Sequence, residues 1–281
     1  MLTMVPLSSK TATEGDRRGA LAVKSSSEPA GSPLHVSVSQ TSAPTEVPPF
    51  VAARCMKTRL LEGLSQKDKD TILSAASYFR FAADAVPACQ GDRADRLFLL
   101  VNGSARYFVV THDGRKVYLL WLAPGDIFGG VSLLTETAEF IVSTEVVKGT
   151  EVFVWSRHMI RGLAARFPRL TENVLSTASD YLVWYVASHL SLICHSAHQR
   201  LANVLISLAS AFGRRSSDGI TIEVTNEQLA NTANITLFTV SRLLSEWHRK
   251  GVLVKSRGKI VLRSPEKLFN TANKLGVLGT K

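Results

Sequence analysis

The stretch "VTNEQLANTANITLFTVSRLLSEWHRKG", residues 224–251, constrains the fold of this 281-residue chain more than any other. Thr225 is followed three residues later by Gln228, which is the capping-box pattern that starts a helix. The helical pattern breaks at Asn234-Ile235, and Thr236 can cap a second helix directly afterwards. Two helices joined by a turn of about three or four residues are typical of a helix-turn-helix. We therefore expect this motif in the C-terminal third of the chain.

The second of these helices has two distinct faces when its residues are placed at intervals of about 100°. The arc predicted to face the domain core holds Val240, Leu243, Leu244 and Trp247. The opposite arc, where a face that reads the DNA major groove would lie, holds Phe238, Arg242, Ser245 and Arg249, with Thr239 and Ser241 on its margins. Arginine in such a position suits guanine O6 and N7 or a phosphate.

Two apolar residues open this second helix, and their roles are less obvious than that of Arg242. Phe238 points outward on the helical wheel, where it can either contact a thymine methyl group or fold back onto the scaffold. Leu237 lies near the boundary between the two arcs, so we expect it to be mostly packing.

A hairpin is predicted beyond this helix, where two apolar runs flank the segment Ser256-Arg257-Gly258-Lys259. Its cations suit the phosphate contacts of a DNA-binding wing, although an ordinary solvated hairpin is the alternative. Residues 197–281 hold 13 Lys and Arg against 5 Asp and Glu, so most of the net charge of +10 belongs there and favours the wing. The candidate DNA-binding residues are Thr225, Thr236, Leu237, Phe238, Thr239, Ser241, Arg242, Ser245, Arg249, Lys255, Arg257 and Lys259.

The first half of the chain has a different, strand-like pattern after a short helix capped by Ser65. Many short strands separated by glycine turns predict a small sandwich or barrel. The Asp113-Gly114 pair predicts a type I′ hairpin turn, which needs a positive φ at both residues. The predicted strands are "DRLFLLV", "ARYFVVT", "KVYLLWL", "EFIVSTEVV" and "TEVFVW".

Helical periodicity returns after Trp155, with a short helix from Ser156 to Pro168 and a long one from about Thr171 to His195. The long helix carries two apolar stripes, so it must bury two faces. One stripe can lie on the barrel, and the simplest partner for the other is the same helix of a second copy; a helix wrapped entirely by its own chain is the alternative. The residues assigned to the dimer helix are Val174, Ala178, Tyr181, Leu182, Tyr185 and Leu192.

Composition and motifs exclude several classes of protein. No apolar run reaches the length of a membrane span, and the N-terminus has no signal core, so a cytoplasmic protein without membrane contacts is expected. The three cysteines, Cys55, Cys89 and Cys194, are far apart, which argues against a disulfide framework, a zinc knuckle and an iron–sulfur cluster. Catalytic motifs such as HExxH, GxSxG and the P-loop are missing, so we do not expect an enzyme.

Taken together, the chain resembles the Crp/Fnr family of bacterial transcription regulators over about residues 57–270. The resemblance rests on "GDRADRLFLLVNGSARY", "APGDIFGG", the long helix, and "ITLFTVSRLLSEW" followed by the wing. It implies an α+β chain that binds double-stranded DNA as a homodimer on a palindrome with half-sites about 10 bp apart, and that contacts RNA polymerase if it activates. The predicted organisation is a disordered tail (1–52), inferred from its richness in Ser, Thr, Pro and Ala, followed by a β-roll or double-stranded jelly-roll-like sensor domain (53–168), a dimerisation helix (169–195), a winged helix-turn-helix domain (196–270) and a C-terminal tail (271–281).

The chain departs from the family pattern at the start of the recognition helix. Members often have Ser-Arg-Glu-Thr-Val there, with the arginine and glutamate reading bases, whereas this chain has Thr236-Leu237-Phe238-Thr239-Val240. Of the usual polar readers only Arg242 remains, so we expect a different operator. The loss of the others also motivates an alternative function, a ligand-, redox- or gas-sensing module with protein–protein output and weakened DNA binding.

A second departure concerns the ligand of the β-roll. Members that bind cyclic AMP have Phe-Gly-Glu in the glycine turn and an Arg-Ser pair about a dozen residues later, whereas this chain has Gly130 and Phe140-Ile141. Since a buried phosphate without a cation is costly, cyclic AMP is disfavoured and the effector is unknown. The candidate pocket residues are Gly129, Gly130, Val131, Phe140, Ile141 and Tyr185.

Haem needs an axial histidine or cysteine ligand, and residues of both types occur near the end of the long helix. We therefore keep haem as a cofactor hypothesis. Cys194, His195 and His198 cluster at the end of the long helix, where they can act as a switch or simply be solvated and hydrogen-bonded.

Overall fold

The computed structural model describes residues 58–134 and 138–272. The tail predicted for residues 1–52, residues 273–281 and Cys55 lie outside the described residues. The described part contains a β-roll, a long helix and a C-terminal domain, as expected for the α+β fold of the family. None of its helices combines the length and the apolar character that a membrane crossing requires.

The β-roll consists of two four-stranded antiparallel sheets with strand orders β1-β8-β3-β6 and β2-β7-β4-β5. Aliphatic and phenylalanine side chains fill its interior, where the rings of Phe98 and Phe128 stack at 4.4 Å. The predicted β-roll is therefore confirmed. Its elements are α1 (Gln66–Ser74), β1 (Ser77–Arg80), β2 (Ala85–Ala88), β3 (Arg96–Asn102), β4 (Ala105–Val110), β5 (Lys116–Leu122), β6 (Ile127–Phe128), α2 (Val131–Leu134), β7 (Ser143–Val146), β8 (Glu151–Ser156) and α3 (Arg157–Arg166).

The turn between β4 and β5 differs from the prediction. Only Gly114 has a positive φ (77°), so the type I′ turn at Asp113-Gly114 is wrong. The connection has five residues, and backbone bonds from Gly114 N to Thr111 O (2.8 Å) and from Thr111 N to Arg115 O (3.0 Å) close it. Because one left-handed glycine suffices for this longer loop, Asp113 can keep an ordinary φ and accept a hydrogen bond from the Thr111 hydroxyl instead.

The predicted strand "EFIVSTEVV" is shorter in the structure, since β7 begins only at Ser143. Phe140 lies before it and forms backbone hydrogen bonds with Gly91 and Asp92, at 2.9 and 2.8 Å. These bonds turn the Phe140 side chain into the roll, where it is buried.

The long helix α4 spans Arg169–Cys194, close to the predicted range, and packs one face on the roll. Asn173 donates to the carbonyls of Leu60 and Glu62, both at 2.9 Å. Val174 is buried and the Tyr181 hydroxyl donates to Ile127 O at 2.9 Å, so assigning these two residues to the dimer contact was wrong. They belong to the face that covers the roll, whereas Ala178, Leu182, Tyr185 and Leu192 are exposed.

The C-terminal domain has one apolar core between its helices and a small sheet of strand order β11-β12-β10-β9. The core side of the recognition helix is as predicted, with Val240, Leu243, Leu244 and Trp247 all buried. The last helix extends past the predicted boundary at residue 270 because Leu268 anchors it in the core. The elements are α5 (Ala197–Phe212), β9 (Arg214–Ser216), β10 (Gly219–Glu223), α6 (Asn226–Ala233), α7 (Leu237–Arg249), β11 (Leu253–Ser256), β12 (Lys259–Leu262) and α8 (Pro265–Ala272).

Candidate functional site

Helices α6 and α7 form the predicted helix-turn-helix, and each begins at the expected cap. The Thr225 hydroxyl accepts from Gln228 N at 3.1 Å and Gln228 Oε1 accepts from Thr225 N at 2.9 Å, which completes the capping box. Asn234 ends α6 in the left-handed conformation (φ 49°). The Thr236 hydroxyl then accepts from Thr239 N at 3.1 Å and starts α7. These local bonds set the angle between the two helices.

The outer face of α7 is exposed, as the helical wheel predicted, and it is unusually apolar at its start. Phe238 is 77% exposed, so it does not fold back onto the scaffold. Leu237 is 54% exposed, and the expectation that it is mostly packing was wrong, because core contact in this helix begins only at Val240. Ser241, Arg242 and Arg249 are exposed on the same side.

Several hydroxyl groups of this face are already engaged within the protein. The Thr236 and Thr239 hydroxyls are hydrogen-bonded to each other at 2.9 Å. Ser245 donates to Ser241 O at 2.7 Å and accepts from Lys255 Nζ at 2.7 Å. Arg242 is therefore the long polar side chain of the first turns of α7 that is exposed on this face.

The wing lies beside this helix and presents its cations to solvent. The Lys255 bond to Ser245 joins β11 to α7 directly. Arg257 and Lys259 are exposed around Gly258, whose φ of 69° allows the tight turn. The structure thus joins the recognition helix to the wing at Lys255, whereas the strand register sets Lys259 beside Ser256 and Glu223 on the other face of the hairpin.

Arg200, a residue that sequence reasoning missed, ties this motif to the end of the long helix. Its guanidinium donates to the carbonyls of His195 (2.8 Å), Ala233 (3.0 Å) and Asn234 (3.2 Å). His195 lies at the junction of α4 and α5, and Asn234 lies in the turn between α6 and α7. One charged side chain therefore holds the interdomain junction against the helix-turn-helix turn.

The histidine cluster at this junction has protein partners. His195 Nδ1 lies 2.9 Å from the Ser191 hydroxyl and 3.3 Å from Asn203 Nδ2, and the His198 ring packs 4.9 Å from that of Trp247. Within the described ranges, no group of three His, Cys, Asp or Glu side chains converges as a metal site.

Burial raises the pKa of the Cys89 thiol, which disfavours its reactive thiolate.

The glycine turn of the roll is packed tightly against its surroundings. Gly129 has a φ of 76°, and a Cβ there would lie 2.4 Å from Arg96 O. A Cβ on Gly130 would lie 3.2 Å from Val174 Cγ1 of α4. A side chain at position 130 would therefore require the Val174 side chain to shift by a few tenths of an ångström.

The six candidate pocket residues do not all gather around this turn. Phe140 is buried beside Gly129, and Val131 packs against the same core. Ile141 is 75% exposed and Tyr185 is also exposed, so neither is buried inside the roll. Sequence reasoning missed Tyr107, whose hydroxyl donates to Ile127 O at 3.4 Å.

Tyr107, Tyr181 and Asp126 form a polar group between the roll and α4. Both tyrosine hydroxyls reach Ile127 O, and the two rings meet edge to face at 6.0 Å. Burial raises the pKa of both hydroxyls, so they are neutral donors. Asp126 Oδ2 accepts from Ala123 N at 2.8 Å, and burial raises the pKa of this carboxyl group as well.

Two segments of the chain match models of known protein families. Residues 199–270 match the Crp-like helix-turn-helix domain, and residues 78–167 match the cyclic nucleotide-binding domain. The chain belongs to the Crp/Fnr family. This Crp/Fnr protein is accordingly a DNA-binding transcription regulator, and the alternative of a module with only protein–protein output is not favoured.

Two relatives illustrate how far the similarity extends along this Crp/Fnr chain. The anaerobic regulatory protein of Bacillus subtilis (strain 168) is 28% identical over 182 residues, which cover 64% of this chain and 76% of that protein. The cyclic AMP receptor protein of Thermus thermophilus is 28% identical over 204 residues, which cover 73% of this chain and 92% of that protein. The solved structure of FixK2 from Bradyrhizobium japonicum, at 22% identity, shares the fold with a TM-score of 0.61 over 73% of this chain and 99% of that one.

Proposed function

We propose that this regulator binds a palindromic operator as a homodimer, with α7 of each subunit in the major groove and each wing on the phosphate backbone. The observation that carries the proposal is the exposed Arg242 on α7 beside a wing that Lys255 joins to α7 and that carries the exposed cations Arg257 and Lys259. Recognition helices place their N-terminal residues at base edges, while surrounding cations contact phosphates and set the register.

The exposed face of α4 supports the homodimer. Leu175, Leu182, Val186 and Ile193 are separated by 7, 4 and 7 positions, so they lie within about 40° of one line along the helix. That line extends over about 27 Å at 1.5 Å per residue. Asn173 and Val174, which face the roll, lie about 160° and about 100° around α4 from this line. A continuous apolar stripe of this length suits helix pairing between two copies.

We further propose that the signal for the roll is not cyclic AMP held by the usual contacts. Position 130 offers no carboxylate, and Val174 fills the adjoining space. Phe140 brings an apolar ring into the core where the family pattern has a cation. Haem and an iron–sulfur cluster find no support in this cluster, since His195 and His198 both have protein partners. RNA polymerase would be the protein partner of an activating form.

Selection of binding sites tests the proposal. The full-length protein is incubated with a library of random DNA duplexes, and the Kd of an enriched site is measured by fluorescence anisotropy at several salt concentrations. A palindrome is expected, with affinity that falls steeply between about 50 and about 200 mM salt because several phosphates are neutralised. Added cyclic AMP is expected to leave the Kd unchanged.

Arg242→Ala provides the variant, and Arg166→Ala on α3 of the roll provides a matched control. If Arg242 contacts a guanine, its removal costs about 1–3 kcal/mol and relaxes specificity at one base pair of each half-site. A selection that enriches no palindrome, or an Arg242→Ala variant that binds like the control, would overturn the assignment of the reading face.

A further inference from the structure

The start of the recognition helix exposes two large apolar side chains in a surface that is otherwise basic. Phe238 is the most exposed of the large hydrophobic residues in the described part of the chain, and Leu237 precedes it. Leaving a phenylalanine in water forgoes the favourable transfer of its ring to an apolar environment. The described residues offer no protein pocket to these two side chains, which lie beyond the core contact that begins at Val240.

The charges around Phe238 indicate what kind of partner covers it. Arg242 follows one helical turn later, and Lys255, Arg257 and Lys259 lie on the adjoining wing. These cations attract a polyanion and repel basic protein surfaces. The partner must therefore be anionic at its periphery and apolar where the tip of α7 touches it.

Double-stranded DNA combines these two properties in its major groove. The phosphates line the edges of the groove, and the thymine C5-methyl group is an apolar patch among the base edges. The hydroxyls of Thr236, Thr239 and Ser245 are already hydrogen-bonded within the protein. At the tip of α7, apolar contact thus replaces the hydrogen bonds that polar readers would make.

We infer that Phe238, together with Leu237, reads thymine in each half-site through its C5-methyl group. This inference rests on the proposed DNA-binding function and adds a specificity-determining contact to it. Phe238 and Arg242 are four residues apart, which is about 6 Å along the helix or roughly two base-pair steps of B-DNA. The thymine therefore lies about two base pairs from the base pair that Arg242 contacts.

Replacing single atoms in the DNA tests the inference with the full-length protein. In the duplex obtained by selection, each thymine near the Arg242 base pair is replaced by deoxyuridine, which removes only the methyl group. Burial of one methyl group contributes about 0.8 kcal/mol, so its loss is expected to weaken binding about fourfold per half-site. In a further pair of duplexes, the same T·A pair is replaced by 5-methylcytosine or by cytosine, each paired with guanine. The protein is expected to bind the methylated duplex more tightly than the unmethylated one by a similar factor.

Two phenylalanine variants complete the test. The Phe238→Ala variant is expected to bind the thymine duplex at least fourfold more weakly than the wild-type protein does. It is expected to bind the thymine and deoxyuridine duplexes with the same affinity. Phe269→Ala on α8, where the ring is also exposed, is the matched control and should retain the methyl dependence. Circular dichroism is expected to show unchanged helical content and melting for Phe238→Ala, since the ring contributes little to the core.

The outcomes separate this inference from the function on which it rests. If the wild-type protein binds the selected palindrome in a salt-dependent manner but tolerates deoxyuridine at every position, thymine reading is overturned while DNA binding stands. The same holds if Phe238→Ala keeps the methyl dependence. If no duplex is enriched at all, the proposed function itself fails.

Discussion

The indole N–H of Trp121, on strand β5 of the roll, donates to the hydroxyl of Thr232, on helix α6, at 3.2 Å. The Trp121 ring also meets the edge of Phe212 at 5.7 Å, and the Arg106 guanidinium lies over it at 4.9 Å. Arg106 in turn pairs with Glu145 at 2.8 Å, which fixes it on the sheet. The sensor domain is thus joined to the first helix of the DNA-binding motif by a contact that does not involve the α4–α5 junction.

This contact predicts an energetic coupling between the two domains. Trp121→Phe removes the donor and Thr232→Val removes the acceptor while keeping its shape. In a double-mutant cycle measured by urea unfolding, we expect a coupling energy of about 0.5–1.5 kcal/mol, the usual contribution of one hydrogen bond. Effects of the two substitutions that simply add would show that the bond does not couple the domains.

The bonds of Arg200 predict a larger effect at the junction. Arg200→Met keeps the aliphatic stem but leaves three carbonyl groups without their donor, so we expect unfolding of the C-terminal domain to require about 2–3 kcal/mol less free energy. Arg215→Met, on exposed strand β9, is the control and should stay within about 0.5 kcal/mol of wild type. Equal urea midpoints for the two variants would contradict the role of Arg200.

The apolar stripe of α4 predicts a change of oligomeric state. Leu182 is 63% exposed in one subunit, so Leu182→Glu should not unfold the monomer, but it would bring two like charges together in the paired helices. Sedimentation velocity at micromolar concentration is expected to show a monomer. Ser176→Glu, about 120° around the helix from Leu182, should remain dimeric. A dimer that survives Leu182→Glu would show that another surface pairs the subunits.

Local signals in the sequence were sufficient to predict the helix-turn-helix. The caps at Thr225 and Thr236 act within three residues, and the buried arc of α7 follows from helical geometry alone. The same local reasoning placed Phe238 on the outer face, but not its degree of exposure. That depends on whether another element covers the helix tip.

Features that depend on distant partners could not be predicted in this way. Trp121 and Thr232 are 111 positions apart, and nothing near either residue indicates that they meet. The two stripes of α4 were visible in the sequence, but Val174 could be assigned to the roll only once its packing against the glycine turn was known. The short strands β1 and β2 carry too few residues to show a period of their own.

Packing at the glycine turn predicts that the family's glutamate cannot simply be restored. Gly130→Glu would bring its Cβ to 3.2 Å from Val174 and place a carboxylate against α4. We expect a loss of about 1–3 kcal/mol in the free energy of unfolding and no gain of cyclic AMP binding by calorimetry. Gly162→Glu, at an exposed position of helix α3 where a Cβ meets nothing within 4 Å, should instead be stabilising by about 0.5–1 kcal/mol. Two equally stable variants would contradict this account.

The buried carboxyl group of Asp126 predicts a dependence of stability on pH. Its pKa is raised above the usual value by burial, so the folded chain binds this proton more tightly than the unfolded chain does. Its contribution to stability is present below the unfolded pKa of about 3.9 and is lost as the pH rises through the raised folded pKa. Asp126→Asn keeps an oxygen that can accept from Ala123 N but carries no charge.

We therefore expect Asp126→Asn to be more stable than wild type at pH 7, with a difference that shrinks as the pH falls towards 4. Asp113→Asn is the matched control of opposite sign, because the Thr111 hydroxyl holds the pKa of Asp113 below its usual value. The Asp113→Asn variant should be less stable than wild type at pH 7, and its stability should approach that of wild type as the pH falls. Urea midpoints from pH 4 to pH 7 check both trends, and parallel shifts of the two variants would show that burial does not govern Asp126.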